Sequence, residues 1–290
     1  MTRIHQIKKI SDEGTSSPFI ARIFFGLLSF RDQLYLNCFE GDERYKNQNY
    51  FDKQFNPMYE AARATRDAAI KINSLMSSHF EKIQSGKAIK FRENQYEILE
   101  TIDSDLSQLV DQFIDQSIVA TKSGLQNILR DPLGLDIGFF FKQDKAFLDG
   151  VSKLIALGEE DLANYLEEVR QEWHSDLQDL RSKHEHKGWT LGSIKYHLDE
   201  RKGMLLVLPD LCGLPVDSFV LRTTNQILQF IENMMVYALQ RFSSMLPIYI
   251  VEVPKNNQNP ENPIRFRLAP KGLDTSLPWR IHYSEDMDFV

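Results

Sequence analysis

Apolar residues recur at three- and four-residue steps through most of the first 188 positions, and this period constrains the fold more than any other feature. It is clearest between residues 159 and 187, where Leu162, Tyr165, Leu166, Val169, Trp173, Leu177 and Leu180 fall on one stripe. A stripe of that period predicts an amphipathic helix. The same reading predicts helices over 18–39, 57–84, 93–130 and 144–157. The second carries Ala61, Ala68, Ile72, Leu75, Met76, Phe80 and Ile83, with Pro57 suited to its first turn. The third carries Ile98, Ile102, Leu106, Leu109, Phe113, Val119 and Leu125, and Asp131-Pro132-Leu133-Gly134 breaks it. Long helices of this kind bury their stripes only against one another, which implies a bundle.

Prolines mark where the pattern changes. Three (Pro18, Pro57, Pro132) occur before residue 200 and eight after it. Ser193–Glu200 and Met204–Leu208 flank Arg201-Lys202-Gly203 as the two arms of a β-hairpin. A helix over 216–243 follows, then extended runs at 247–253, 264–268 and 279–283. The expected fold is mainly α, a helical bundle over 1–188 with a small C-terminal antiparallel β-element. Residues 189–290 supply its hairpin, one helix and short strands packed on the bundle.

Composition excludes several function classes. The formal net charge is -7 and the pI about 5.6, whereas broad binding to nucleic acid or anionic lipid needs a basic surface. Cys38 and Cys212 have no CxxC spacing, which argues against a disulfide framework or a cysteine zinc site and for a reducing compartment. The first residues are polar, unlike a secretory signal. The longest unbroken apolar part of 18–39 is Ile23–Leu28, far short of a membrane span. The expectation is a cytoplasmic protein with no membrane partner. No GxxxxGK[ST], GxGxxG, HExxH or GxSxG pattern occurs, and no cofactor is expected.

The chemistry-bearing feature is the run Arg181-Ser182-Lys183-His184-Glu185-His186-Lys187-Gly188-Trp189 at the end of the 159–187 helix. Four of the seven histidines (His174, His184, His186, His197) lie in this region. Two readings stand. In the first, the cations oppose the negative end of the helix dipole, Gly188 caps the helix, and His184 lies on the stripe of Trp173 as a core histidine. In the second, Arg181 holds a phosphate through its planar donor fork and His186 transfers protons, with His184, Lys183 and Lys187 as binding residues. On a continuous helix Arg181 and His186 point about 140° apart, so they converge only where the helix ends or kinks. A metal reading through His184, Glu185, His186 and His174 or His197 requires an extended segment, because histidines two apart on a helix diverge.

An arginine and a histidine at this spacing inside an all-helical bundle resemble the higher eukaryote and prokaryote nucleotide-binding (HEPN) superfamily. The resemblance covers about residues 57–200. It implies a homodimeric bundle of four or five helices that binds RNA or a nucleotide, in many members as a metal-independent endoribonuclease. His186 would then be the proton-transfer residue and Arg181 the holder of the scissile phosphate. Where the family often has an amide after the arginine, this chain has Ser182. The alternative is a non-enzymatic helical interaction protein whose basic run only caps a helix.

Other constellations have simpler readings. Arg63 and Arg66 suggest a solvated face with an Arg63–Asp67 pair. Phe139-Phe140-Phe141 reads as a loop anchored in the core. Glu159-Glu160-Asp161 suits the first turn of a helix, and the acids of 285–288 a solvated tail.

Overall fold

Glycines and period-two alternation decide where the helices of this chain stop. The computed structural model describes residues 13–30, 41–93, 95–138, 144–199, 203–243 and 246–272. They are mainly α-helical with small antiparallel two-stranded sheets. The helices are α1 (Gly41–Gln84), α2 (Asp103–Leu133), α3 (Asp144–Ala156), α4 (Glu160–Val169), α5 (Ser175–Lys187) and α6 (Val216–Ser243). A π-helical segment, Ile20–Leu28, precedes α1, and a π-helical turn, Arg170–His174, joins α4 to α5. The hairpins are β1 (Ile89–Arg92) with β2 (Gln95–Ile98), β3 (Lys195–Asp199) with β4 (Gly203–Val207), β5 (Asp210–Leu211) with β6 (Leu214–Pro215), and β7 (Ile248–Glu252) with β8 (Phe266–Pro270).

Three boundaries differ from the sequence expectation, each for a local reason. The helix expected from residue 93 starts at Asp103, because β1 and β2 occupy 89–98. Ile89, Phe91, Tyr96 and Ile98 share one face of that hairpin, and Lys90, Arg92, Gln95 and Glu97 the other. That is the alternation of a two-faced strand pair. Pro57 lies inside α1 and not in its first turn. Helix α2 runs through Pro132 to Leu133, and Gly134 ends it. A left-handed backbone (φ 64°) lets the Gly134 N–H return to the Leu129 carbonyl. Residues 31–39, 139–141 and 279–283, with Cys38, lie outside the described residues.

The chain divides into two compact units. The smaller contains the described residues up to Phe55 and those from Met235 to 272. Its π-helical segment buries Ile20, Ala21, Ile23 and Leu27, and β7–β8 buries Ile250, Val251, Phe266 and Ala269. Arg265, 3% exposed, donates from Nε to Glu252 Oε1 at 2.7 Å. A charge so buried is retained because its carboxylate is bonded to it.

The larger unit holds the described residues of 56–234 and contains residue 188. In α6, Ile227, Leu228, Phe230, Ile231 and Met234 are 0% exposed, and Gln226, Gln229, Glu232 and Asn233 are buried between them. A helix buried on all sides is a central element. Its polar side chains need partners there, and Asn233 Nδ2 donates to the Tyr165 hydroxyl at 3.0 Å.

Gly150 of α3 permits another close approach. A Cβ at this position would lie 2.3 Å from Ile137 Cγ2 and 2.8 Å from Ile137 Cα. Backbone cannot yield as a flexible side-chain tip can. Gly150→Ala should therefore cost about 1–3 kcal/mol of stability, the range for an overpacked core, as read from a urea titration. An unchanged midpoint would show that Ile137 moves aside freely. No helix of the described residues is long and apolar enough to cross a membrane.

Candidate functional site

Helix α5 carries the basic run without interruption to Lys187. Gly188 ends it in the left-handed conformation (φ 59°, ψ 30°), and its N–H bonds to the Lys183 carbonyl. The helix thus ends after the motif and not between Arg181 and His186. Ser182 is buried, Lys183 and His186 are exposed, and the side chain of Lys187 lies outside the described residues.

Two side chains of the run turn toward α2. His184 Nε2 lies 3.3 Å from Asp111 Oδ2, and Arg181 Nε lies 3.9 Å from Asp115 Oδ1. The pairs run in opposite order along the two helices, so α2 and α5 pack antiparallel. Arg181 and His184 are three apart and Asp111 and Asp115 four apart, the spacings that put each pair on one helix face. Burial pushes the Asp111 carboxyl above its ordinary value, while His184 draws it down and Asp115 pushes it further up.

Glu185 joins the two motif residues. Its Oε1 accepts a hydrogen bond from Arg181 Nε at 2.9 Å, and its Oε2 lies 3.9 Å from His186 Nε2. Arg181 and His186 therefore reach the two oxygens of one carboxylate, an anion already in place. Asp111, Asp115 and Glu185 surround Arg181, His184 and His186, which leaves little net positive charge for a phosphate. Among the described residues no three His, Cys, Asp or Glu side chains could hold a metal ion together.

The core histidine expected at 184 is instead His174, 1% exposed. Leu177 and Leu180 of the same stripe are buried as expected, whereas His184, one turn further along near the end of α5, is only half-buried and turns to Asp111. Both Trp173 and His174 are buried there, with ring centroids 5.8 Å apart. Burial and the nearby Arg170 push the His174 value down to about 3. His197 is exposed on β3.

Arg63 does not pair with Asp67. Its Nη2 bonds to Glu60 Oε2 at 2.7 Å on the preceding turn of α1, and Arg66 is buried, not solvated. A second polar cluster had no motif to announce it. His79 of α1, 2% exposed, has its Nε2 2.8 Å from the Tyr196 hydroxyl on β3. Comparison with protein-family models, with curated proteins and with solved structures gives no match.

Proposed function

We propose that this chain is a non-enzymatic helical interaction protein in which the basic end of α5 serves to hold that helix on α2. One observation carries this reading: the Glu185 carboxylate fills the space between Arg181 and His186 where a phosphate would sit. The acidic balance of the whole chain supports a protein partner over RNA or an anionic membrane. Exposed apolar side chains on two hairpins, Phe91 and Tyr96 on β1–β2 and Leu198, Leu205 and Val207 on β3–β4, are the surface such a partner would meet.

The ribonuclease reading draws support from the same carboxylate. If Glu185 swung away, Arg181 and His186 would face one vacated anion position, and the HEPN resemblance would supply the chemistry. Incubating the full chain with single-stranded and structured RNA in EDTA separates the two. The interaction reading expects no cleavage, no RNA affinity gained in Glu185→Gln, and a cost of about 0.2–1 kcal/mol for Arg181→Ala through its lost ion pairs. Cleavage that persists in EDTA and disappears in both Arg181→Ala and His186→Ala, with stability unchanged, would overturn it. So would tighter RNA binding by Glu185→Gln.

A further inference from the structure

We propose that the pair formed by the buried His79 and the half-buried Tyr196 is a pH-operated latch, closed near neutral pH, that releases the β3–β4 hairpin from α1 in mild acid. The hairpin is two-stranded, and strand pairs of that size are marginal without packing against another element. Tyr196 and Leu206 are directly opposite each other at its base, with Leu198 and Met204 on the same face toward the tip. Tyr196, Met204 and Leu206 are half-buried on that face, while Leu198 is exposed. Beyond the His79–Tyr196 contact, Gln84 Nε2 of α1 donates to the Met204 carbonyl and the Ile194 N–H donates to Asp103 Oδ1, each at 2.9 Å.

The chemistry of the imidazole sets the switch. A neutral ring satisfies the phenol in either tautomer, as acceptor or as donor at Nε2. A protonated ring must donate from both nitrogens. Nε2 can still give its proton to the Tyr196 oxygen, but Nδ1 is buried and no group of the described residues accepts from it. A buried cation held by one neutral phenol is poorly solvated. The charged groups facing it are Lys82 on α1, Glu100 before α2 and Asp103 at the start of α2. The two carboxylates favour the cation and Lys82 opposes it, and Glu100 is already bonded to Lys82. Burial outweighs the carboxylates and lowers the His79 value below 6.5. Water therefore protonates a released imidazole before the latched one, and falling pH draws the equilibrium toward release.

Amide hydrogen exchange on the full chain tests the latch, read as protection factors corrected for the intrinsic pH dependence of exchange. Protection of 195–199 and 203–207 should be constant above pH 6.5 and fall below it, by at most about tenfold per pH unit for one proton. It should fall further than protection in the middle of α2. In His79→Gln, which keeps a hydrogen-bonding group but no titration, the hairpin should show no such extra fall. Tyr196→Phe should lower hairpin protection already at pH 7.5, which keeps the test decisive if His79→Gln does not fold. Unchanged hairpin protection at pH 5.5 in the native chain would overturn the proposal. An equal fall in α2 would do so too, as would the same extra fall in His79→Gln or native-like protection in Tyr196→Phe.

Discussion

Acidification from pH 7.5 to 5 should destabilise the larger unit through His174, by about 2 kcal/mol from this residue alone. Its imidazole is 1% exposed and sits beside Arg170, and the two together push its value to about 3, against 6.5 for a solvated ring. An imidazole held neutral by the fold is protonated only on unfolding. The stabilising difference is whole above pH 6.5 and shrinks as pH falls toward 3. Urea titrations at the two pH values, followed by the fluorescence of the neighbouring Trp173, give the loss directly. His174→Gln has nothing to titrate at this site, so its loss should be smaller than that of the native chain by about the same 2 kcal/mol. Parallel losses in the two proteins would mean that His174 accepts its proton inside the folded unit.

Phe230→Ala should cost about 3–5 kcal/mol, enough to consume a large share of the stability of a typical domain. The ring is 0% exposed, lies nearly parallel to Tyr165 (14°, centroids 6.2 Å apart) and meets Trp173 edge-on at the same separation. Gly124 of α2 lies beside it, and a Cβ at that position would be in ordinary contact, 3.5 Å from Phe230 Cε1. Removing the ring thus takes a contact from α2, α4, the π-helical turn and α6 together. The remaining cavity costs more than the lost transfer energy, because four elements cannot all collapse into it. A urea midpoint shift equivalent to less than 1 kcal/mol would show that the surrounding helices do close in.

The helices were legible wherever one face is apolar and the other polar. Leu162 to Leu180 predicted α4 and α5, and residues 216–243 predicted α6 with the bounds observed. Helix α6 could be found but not placed at the centre, because Gln229, Glu232 and Asn233 look like surface residues until their burial is known. The β1–β2 hairpin was missed because Ile98 also fits the period of the stripe that continues into α2, and four-residue strands give few repeats to judge.

The basic run was equally visible, but its partners were not. Asp111 and Asp115 stand 70 and 66 positions before Arg181, and only the packing of α2 on α5 brings them to it. Their four-residue spacing was the available signal, and many surface helices share it. His79 and Tyr196 gave less still, since a histidine and a tyrosine 117 positions apart form no motif.

The turn at Arg170–His174 works as a phase shifter in the helix that contains it. Everything after it keeps its order in the chain but is turned about the axis relative to everything before it. The buried stripe nonetheless runs on from Leu162, Tyr165, Leu166 and Val169 in α4 to Leu177 and Leu180 in α5. One residue gained or lost between His174 and Arg181 would rotate Arg181 and His184 together by about 100°. Asp111 and Asp115 would then face Leu180 and Lys183 or Ser182 and Glu185, according to the direction of the change. The irregular winding thus lies inside an apolar stripe that stays buried on both sides of it, while Arg181 and His184 keep their register with Asp115 and Asp111.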